Sequence, residues 1–290
     1  MTLIGIVLAL LAERAFGHLP GVGEPRLMER VIVHVQRAVP LPRYWRSAFA
    51  PMVLLALALL AAAGVDWLLR GVALARLAFG SMVLFLCLGP RDLSEDVHRL
   101  LAARGAGDAA AAELLTRTLL RGPDSHVSKR SLIGALFIQS HERLFGVLLW
   151  FFAAGPAGAV LYRVASRMPR FLHETQPGTD AEDAAVSLHA AAAWIPARVT
   201  TLLIGMAGSL DHLLREWGLL RRTQRLPWRD SSWAVLADVG SSTIAVDASE
   251  TGFAVPATLD ACLREVLAVQ QRALIILLAA FAMFTAGTFV

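Results

Sequence analysis

Long apolar blocks alternate with polar segments along this chain, and the pattern predicts a helical membrane protein. An α-helix rises 1.5 Å per residue and needs about 20 apolar residues to cross about 30 Å of hydrocarbon. We predict an all-α fold, a polytopic membrane protein with about five or six transmembrane helices plus amphipathic and cytoplasmic helices. The six predicted spans are 1–12, 47–65, 72–89, 144–164, 184–210 and 273–290.

The first block is short, and its flanking residues decide its interpretation. No basic region precedes residues 1–12, and Glu13-Arg14 comes next instead of a small-residue cleavage site. A secretory signal peptide would carry both features. We therefore predict a retained, short first membrane helix.

Two later blocks depart from a plain apolar helix. Block 144–164 contains Gly155-Pro156 and Gly158, which predict a kink or a broken helix. Block 184–210 carries polar residues, so the sequence allows it to cross the membrane or to lie in the interface. The link 66–71 is only long enough for a tight turn, which predicts a transmembrane hairpin from the second and third blocks.

The polar segments predict helices outside the hydrocarbon. Within 26–39 apolar residues recur every four positions, which is typical of an amphipathic helix on the membrane surface. Segment 91–143 predicts one helix from Asp92 to about Arg104 and another from Asp108 to Leu120. We treat 1–290 as one integral membrane domain with cytoplasmic helical loops at about 91–143 and 211–271.

Charge placement predicts a topology in the bacterial inner membrane. With the N-terminus outside, the three inner segments hold 6, 8 and 6 basic residues against 4 in the two outer ones, Arg163 at the end of the fourth span included. Inner loops of membrane proteins are enriched in this way. Arg163, Arg167 and Arg170 are discordant, because this topology leaves them outside directly after the fourth span; a re-entrant fourth span would place them inside.

Composition narrows the class of protein. Hydrophobic residues make up 56% and mean hydropathy is +0.58, above the about 45–50% apolar content of soluble domains. The 27 basic residues are dispersed between apolar blocks, which favours topology and anionic lipid over nucleic acid as their partner. Two distant cysteines, no HExxH and a single lysine, Lys129, predict no disulfide framework, no metal site, no conventional P-loop and no cofactor.

Ionisable residues at the ends of apolar blocks are the candidates for chemistry. A charge at membrane depth costs about 2.5–3.5 kcal/mol on insertion scales, so it usually has a partner or a function. Snorkelling of helix ends is one explanation. The other is that these residues together enclose an anionic metabolite or lipid, for which arginine forks are suited. Catalytic residues and oligomeric state are not predicted; the candidate ligand-binding residues are Glu13, Arg14, Glu142, Arg143, Arg163 and Arg198.

Three segments of the chain resemble the AmpE family. They are Glu142-Arg143-Leu144-Phe145-Gly146-Val147-Leu148-Leu149-Trp150, Gly155-Pro156-Ala157-Gly158-Ala159-Val160-Leu161-Tyr162-Arg163 and Trp194-Ile195-Pro196-Ala197-Arg198. The resemblance implies an inner-membrane protein linked to β-lactamase induction, to the antibiotic response and to sensing of cell-wall recycling. Our leading hypothesis is a regulatory modulator of that kind.

The second and third segments are also similar to the wider CobD/CbiB family. That resemblance implies a membrane enzyme that joins an aminoalcohol phosphate to a corrinoid carboxylate in cobalamin biosynthesis, and this is our alternative hypothesis. Three polar motifs of those enzymes are replaced, which favours the regulatory hypothesis and leaves enzymatic activity open. The replaced positions are 141–146, 164–169 and 187–189.

Overall fold

Helices form every regular element in the part of the chain that the structure describes. This computed structural model describes residues 2–16, 32–34, 37, 42–88, 93–120, 129–223, 227–244 and 258–287. The all-α prediction is confirmed. The helices are α1 (Thr2–Phe16), α2 (Pro42–Trp45), α3 (Phe49–Leu68), α4 (Ala73–Leu88), α5 (Leu93–Gly105), α6 (Ala109–Leu119), α7 (Lys129–Ser140), α8 (Gly146–Thr175), α9 (Asp180–Ala207), α10 (Leu210–Thr223), α11 (Ser231–Ala234), α12 (Gly240–Ser242) and α13 (Leu259–Gly287).

Five helical segments among the described residues are long and apolar enough to cross a membrane, which confirms a polytopic membrane protein in a lipid bilayer. They are Phe49–Gly71, Ala73–Gly105, Leu132–Thr175, Asp180–Ala207 and Leu259–Gly287, and Leu3–Glu13 is a shorter apolar helix. The ambiguous block 184–210 thus belongs to a helix of spanning length, α9. Crossing by α1 stays a prediction. The predicted surface helix 26–39 falls largely outside the described residues.

The chain divides into two compact units that interleave in sequence. Unit 1 comprises Met1–Pro90 and Gly146–Pro196, and unit 2 comprises Arg91–Phe145 and Ala197–Val290. The predicted cytoplasmic loops 91–143 and 211–271 therefore belong to the same unit. That 1–290 forms one integral membrane domain stays a prediction.

In unit 1, two apolar helices pack against a central third. A 3₁₀ turn, Leu69–Gly71, joins α3 to α4, so the predicted tight turn is confirmed. Both Nε and Nη2 of Arg76 donate to the carboxylate of Asp66 at 2.9 Å, which bridges the two helices beside the turn. Beyond the turn α3 and α4 each pack on α8, and α1 packs on α4.

Helix α8 is broken in its middle, as the Gly-Pro pair predicts. Gly155 has φ +64° and ψ −151°, and Ala154 has φ −134° and ψ 17°, so neither residue is helical. A straight helix would separate residues 146 and 162 by about 24 Å. Here the Tyr162 ring lies directly against Gly146, so the arm 146–153 folds back along the arm 156–175.

Glycine makes the close approach of the two α8 arms possible. A Cβ atom at Gly158 would overlap the carbonyl oxygen of Trp150, and one at Gly146 would overlap the Tyr162 ring. Small residues let helix backbones approach closely where apolar solvent supplies little driving force for association. These two glycines are therefore required by packing.

In unit 2, helices from the two halves of the chain pack together. The Asp108 carboxylate accepts a hydrogen bond from the Ala111 backbone N–H at 3.0 Å and caps α6, close to the predicted start of that helix. Helix α13 packs on α5 and α7, and Arg104 forms an ion pair with Asp260 at its N-terminal end. Two π-helices, π1 (His141–Phe145) and π2 (Val235–Val239), lie in this unit, and α7 packs on π2.

We expect Gly158→Ala to destabilise the protein by about 1–3 kcal/mol, the usual cost of overpacking, because its methyl group has no room beside Trp150. The midpoint of thermal unfolding in detergent micelles measures the effect. Gly64→Ala in α3 is the matched control, since nothing lies within 4 Å of its added Cβ. Equal midpoints for the two variants would contradict the close packing of the arms.

Candidate functional site

The six predicted site residues divide between the two units. Glu13, Arg14 and Arg163 belong to unit 1, and Glu142, Arg143 and Arg198 belong to unit 2. Glu13 lies half-buried in the last turn of α1, and the Arg14 side chain falls outside the described part of the chain. Convergence of all six residues on one anion stays a prediction.

Arg163 is the buried charge of unit 1. Its side chain lies on the second arm of α8, and the residue is only 8% exposed. The guanidinium is near enough to the Cys87 thiol of α4 to interact with it electrostatically. A snorkelling arginine extends its charged group to water. Arg163 instead keeps its guanidinium within the protein, which is the arrangement typical of functional charges in membrane proteins.

Polar and aromatic groups next to Arg163 link α8 to α9. Tyr162 is fully buried, and its ring centre lies 6.1 Å from that of the buried His189 at an interplanar angle of 63°. The offset edge-to-face geometry is the favourable one for two rings. This ring pair joins α8 to α9 within unit 1.

A tryptophan compensates for the proline inside α9. Pro196 has no N–H, so the carbonyl of Ala192, four residues earlier, loses its usual helical donor. The Trp150 Nε1–H donates to this carbonyl at 2.9 Å. In a medium without water such a freed carbonyl needs a partner from a neighbouring helix. This bond joins the first arm of α8 to α9 at the proline.

The polar residues of unit 2 gather where π1 meets α9. His141 and Thr200 are both fully buried, and Nδ1 of His141 lies 2.9 Å from Oγ1 of Thr200. Thr201 is also fully buried, and its hydroxyl donates to the Ala197 carbonyl at 2.8 Å. Such paired polar groups rigidify an apolar interior, because each would be costly without its partner.

The two predicted site arginines of this unit, Arg143 and Arg198, have separate polar neighbours. Nη1 of Arg143 lies 3.6 Å from Oδ2 of Asp96 on α5, and Nη2 of Arg198 donates to the Ser231 hydroxyl at 3.3 Å. Glu142 lies half-buried beside Arg143 in π1. The wider π-turn shifts the side chains after it around the helix axis, and such turns occur frequently at functional sites.

Taken unit by unit, the arginines have the chemistry that suits an anion, and the neighbouring polar groups hold oriented hydrogen bonds. Buried or half-buried guanidinium groups recognise phosphate and carboxylate through charged, paired hydrogen bonds. Among the described residues, no group of three or more His, Cys, Asp or Glu side chains is arranged to hold a metal ion.

Several residues of these clusters were not among the predicted site residues. Trp150, His189 and Thr200 are ordinary residues within apolar blocks, and each acts through a partner more than ten positions away. The sequence did contain a signal for the role of Trp150. Pro196 lies inside a long apolar helix and leaves the carbonyl four residues earlier without its helical donor, so another group must supply one.

The fold and these clusters define a multi-pass helical membrane protein with polar groups buried between its helices. The profile of the family described as "CobD/Cbib protein" matches residues 6–241, so the chain belongs to that family. Two curated relatives bear the name "Cobalamin biosynthesis protein CobD". The relative from Stutzerimonas stutzeri is 26% identical over 261 residues, covering 85% of this chain and 80% of the relative.

The relative from Chromobacterium violaceum is 25% identical over 257 residues, covering 82% of this chain and 78% of its own length. No solved structure matches the chain. Our alternative hypothesis, a CobD/CbiB-like membrane protein, is thus better supported than our leading one, and the matches show no AmpE assignment.

We expect Trp150→Phe to destabilise the protein by about 0.6 kcal/mol, and by at most about 1.7 kcal/mol, the range for interhelical hydrogen bonds in membranes. A double-mutant cycle with Pro196→Ala, read out as unfolding free energy in micelles, tests the assignment. Because alanine at position 196 would restore the backbone N–H, Trp150→Phe should cost less in that background. An equal cost in both backgrounds would show that Trp150 acts through packing alone.

Proposed function

We propose that this chain is an inner-membrane protein of cobalamin biosynthesis and acts where an aminoalcohol phosphate is joined to a corrinoid carboxylate. The observation that carries the proposal is the family match over residues 6–241, together with coverage of about four fifths of each CobD relative. The five helices of spanning length support a multi-pass protein, and the predicted excess of inner basic residues supports the inner membrane.

The arginines supply the chemistry that such substrates require. Both the phosphate and the carboxylate are anionic, and a guanidinium binds either through two parallel hydrogen bonds. Arg163 is favoured for this role because its side chain is buried within unit 1, where an anion would gain from the low dielectric. Arg198 is the second candidate, since it is half-buried on α9 and its guanidinium is oriented by a hydrogen bond to the Ser231 hydroxyl.

Complementation of a chromosomal deletion tests this function. In a strain whose growth requires cobalamin made by this pathway, the wild-type gene should restore growth. Arg163→Ala and Arg198→Ala should restore it poorly or not at all, because each removes a charged hydrogen-bond donor. Arg163→Lys should also be impaired, since lysine keeps the charge and loses the planar fork.

Arg170→Ala is the matched control for these variants. Arg170 lies further along α8 and forms an exposed ion pair with Glu174, of the kind that contributes little to stability. It should complement like wild type, at equal membrane abundance. Full growth with both Arg163→Ala and Arg198→Ala would refute the assigned role of the arginines, and full growth of the deletion strain itself would refute the proposed function.

A regulatory function like that of AmpE proteins is the second candidate. It is favoured by the replaced polar motifs at 141–146, 164–169 and 187–189. In it, the arginines would bind an anionic metabolite or lipid without turnover. The same deletion strain discriminates the two functions: altered β-lactamase induction with unchanged cobalamin-dependent growth would favour regulation, and the reverse would favour cobalamin biosynthesis.

A further inference from the structure

Helix α10 turns an apolar stripe outward instead of burying it. Its most buried leucine is Leu213, which is not exposed at all, whereas Leu210 and Leu214 are 41% and 52% exposed and Trp217 is half-buried. Leu210, Leu214 and Trp217 succeed one another at intervals of four and three residues, so they share one face of the helix. A contiguous apolar stripe on a protein surface is typical of a site that a membrane or another protein covers.

The start of α10 is anchored, and this fixes which face is turned outward. Leu213 packs directly on Gly205 of α9, where an added Cβ would lie only 2.6 Å from Cδ1 of Leu213. The Ser209 hydroxyl lies 2.9 Å from Nδ1 of His212 in the first turn. Both contacts lie within unit 2, and together they hold Leu213 inward and its neighbour Leu214 outward.

The membrane helix that precedes α10 also has an exposed apolar side chain in its last turn. Met206, in the last turn of α9, is 59% exposed, and Leu210 lies four residues further along, across the short link. The segment Asp180–Ala207 is long and apolar enough to cross a membrane. Because α10 starts three residues after that segment ends, we expect its first turn at the depth where hydrocarbon gives way to lipid headgroups.

The acidic residues of α10, Asp211 and Glu216, precede its last turn, and the charges of that last turn are basic. Arg221 comes after Leu214 and Trp217 on the same face, and Arg222 lies beside it; both are exposed. Amphipathic helices in the interface combine an apolar face with arginines that reach lipid phosphates. A second protein copy would cover the stripe equally well, but it would not account for arginines at the end of that stripe.

We propose that α10 is an interfacial helix whose Leu210–Leu214–Trp217 stripe lies in the headgroup boundary of the membrane and whose Arg221 and Arg222 bind the phosphates of anionic lipids. In this arrangement α10 anchors unit 2 to the membrane leaflet that contains the anionic lipids. This role does not depend on the proposed biosynthetic function.

Cysteine accessibility in nanodiscs tests the proposal. The full-length Leu214→Cys protein is reconstituted in discs of phosphatidylcholine alone or with phosphatidylglycerol, and a membrane-impermeant maleimide is added. We expect labelling to slow about tenfold or more in the anionic discs, because attraction of two arginines to anionic lipid holds the stripe in the boundary. Wild-type protein is the blank, since both native cysteines are buried.

Leu219→Cys is the matched control on the same helix. Leu219 is 47% exposed and lies about 140° around the axis from Leu214, so it should label rapidly in both discs. Adding Arg221→Gln with Arg222→Gln should abolish the protection of the Leu214→Cys thiol. Arg215→Gln, on a face about 100° from Leu214, should leave the protection unchanged and shows that the helix tolerates loss of one charge.

The other outcomes overturn the proposal. Rapid labelling of the Leu214→Cys protein in both discs would show that the stripe faces water. Slow labelling in both discs, unaffected by the arginine substitutions, would show that the stripe is covered by a second copy of the chain or by apolar contact with lipid alone, without a contribution from the arginines.

Discussion

A backbone carbonyl inside a membrane protein must find a donor within the protein, and this requirement accounts for much of unit 1. Pro196 interrupts the hydrogen bonding of α9, and the indole N–H of Trp150 satisfies the carbonyl that the proline releases. Trp150 can reach that carbonyl because α8 breaks at Gly155 and folds its first arm back. The break in one helix and the proline in the other are thus linked by a single hydrogen bond.

The hydrogen bond from Trp150 to the Ala192 carbonyl gives residues of the family resemblance a structural explanation. The segments Gly155–Arg163 and Trp194–Arg198 suggested the CobD/CbiB resemblance from the sequence, and both have structural roles in this chain. Gly155 turns the chain, Gly158 admits the second arm, and Pro196 creates the site for Trp150. These residues specify the local fold of this chain. Their presence supports membership, while activity depends on the residues that the fold brings beside them.

Arg163, for which we propose a role in anion binding, is also a buried charge of the fold. Burying a guanidinium among apolar helices is costly, and Arg163 is buried in the arm that Gly158 allows to pack closely. In unit 2 the polar groups adopt a different arrangement, with His141 against Thr200 and each arginine beside its own partner. Positions 141 and 189 are two of those at which this chain departs from the enzyme motifs described above. Both are histidines in these clusters, so they contribute imidazole nitrogens as hydrogen-bonding groups.

The sequence alone determined the class of protein, most helix positions and the break in the fourth block. These features arise from local physics: apolar length sets the spans, an aspartate caps α6, and a Gly-Pro pair interrupts a helix. The leading AmpE hypothesis rested on short segments, and matches over most of the chain favoured the other family. Only the tertiary structure decided the contacts of Trp150 with Ala192 and of His141 with Thr200, which are 42 and 59 residues apart. A periodic pattern specifies which face of a helix is apolar, but it does not specify which other helix that face meets.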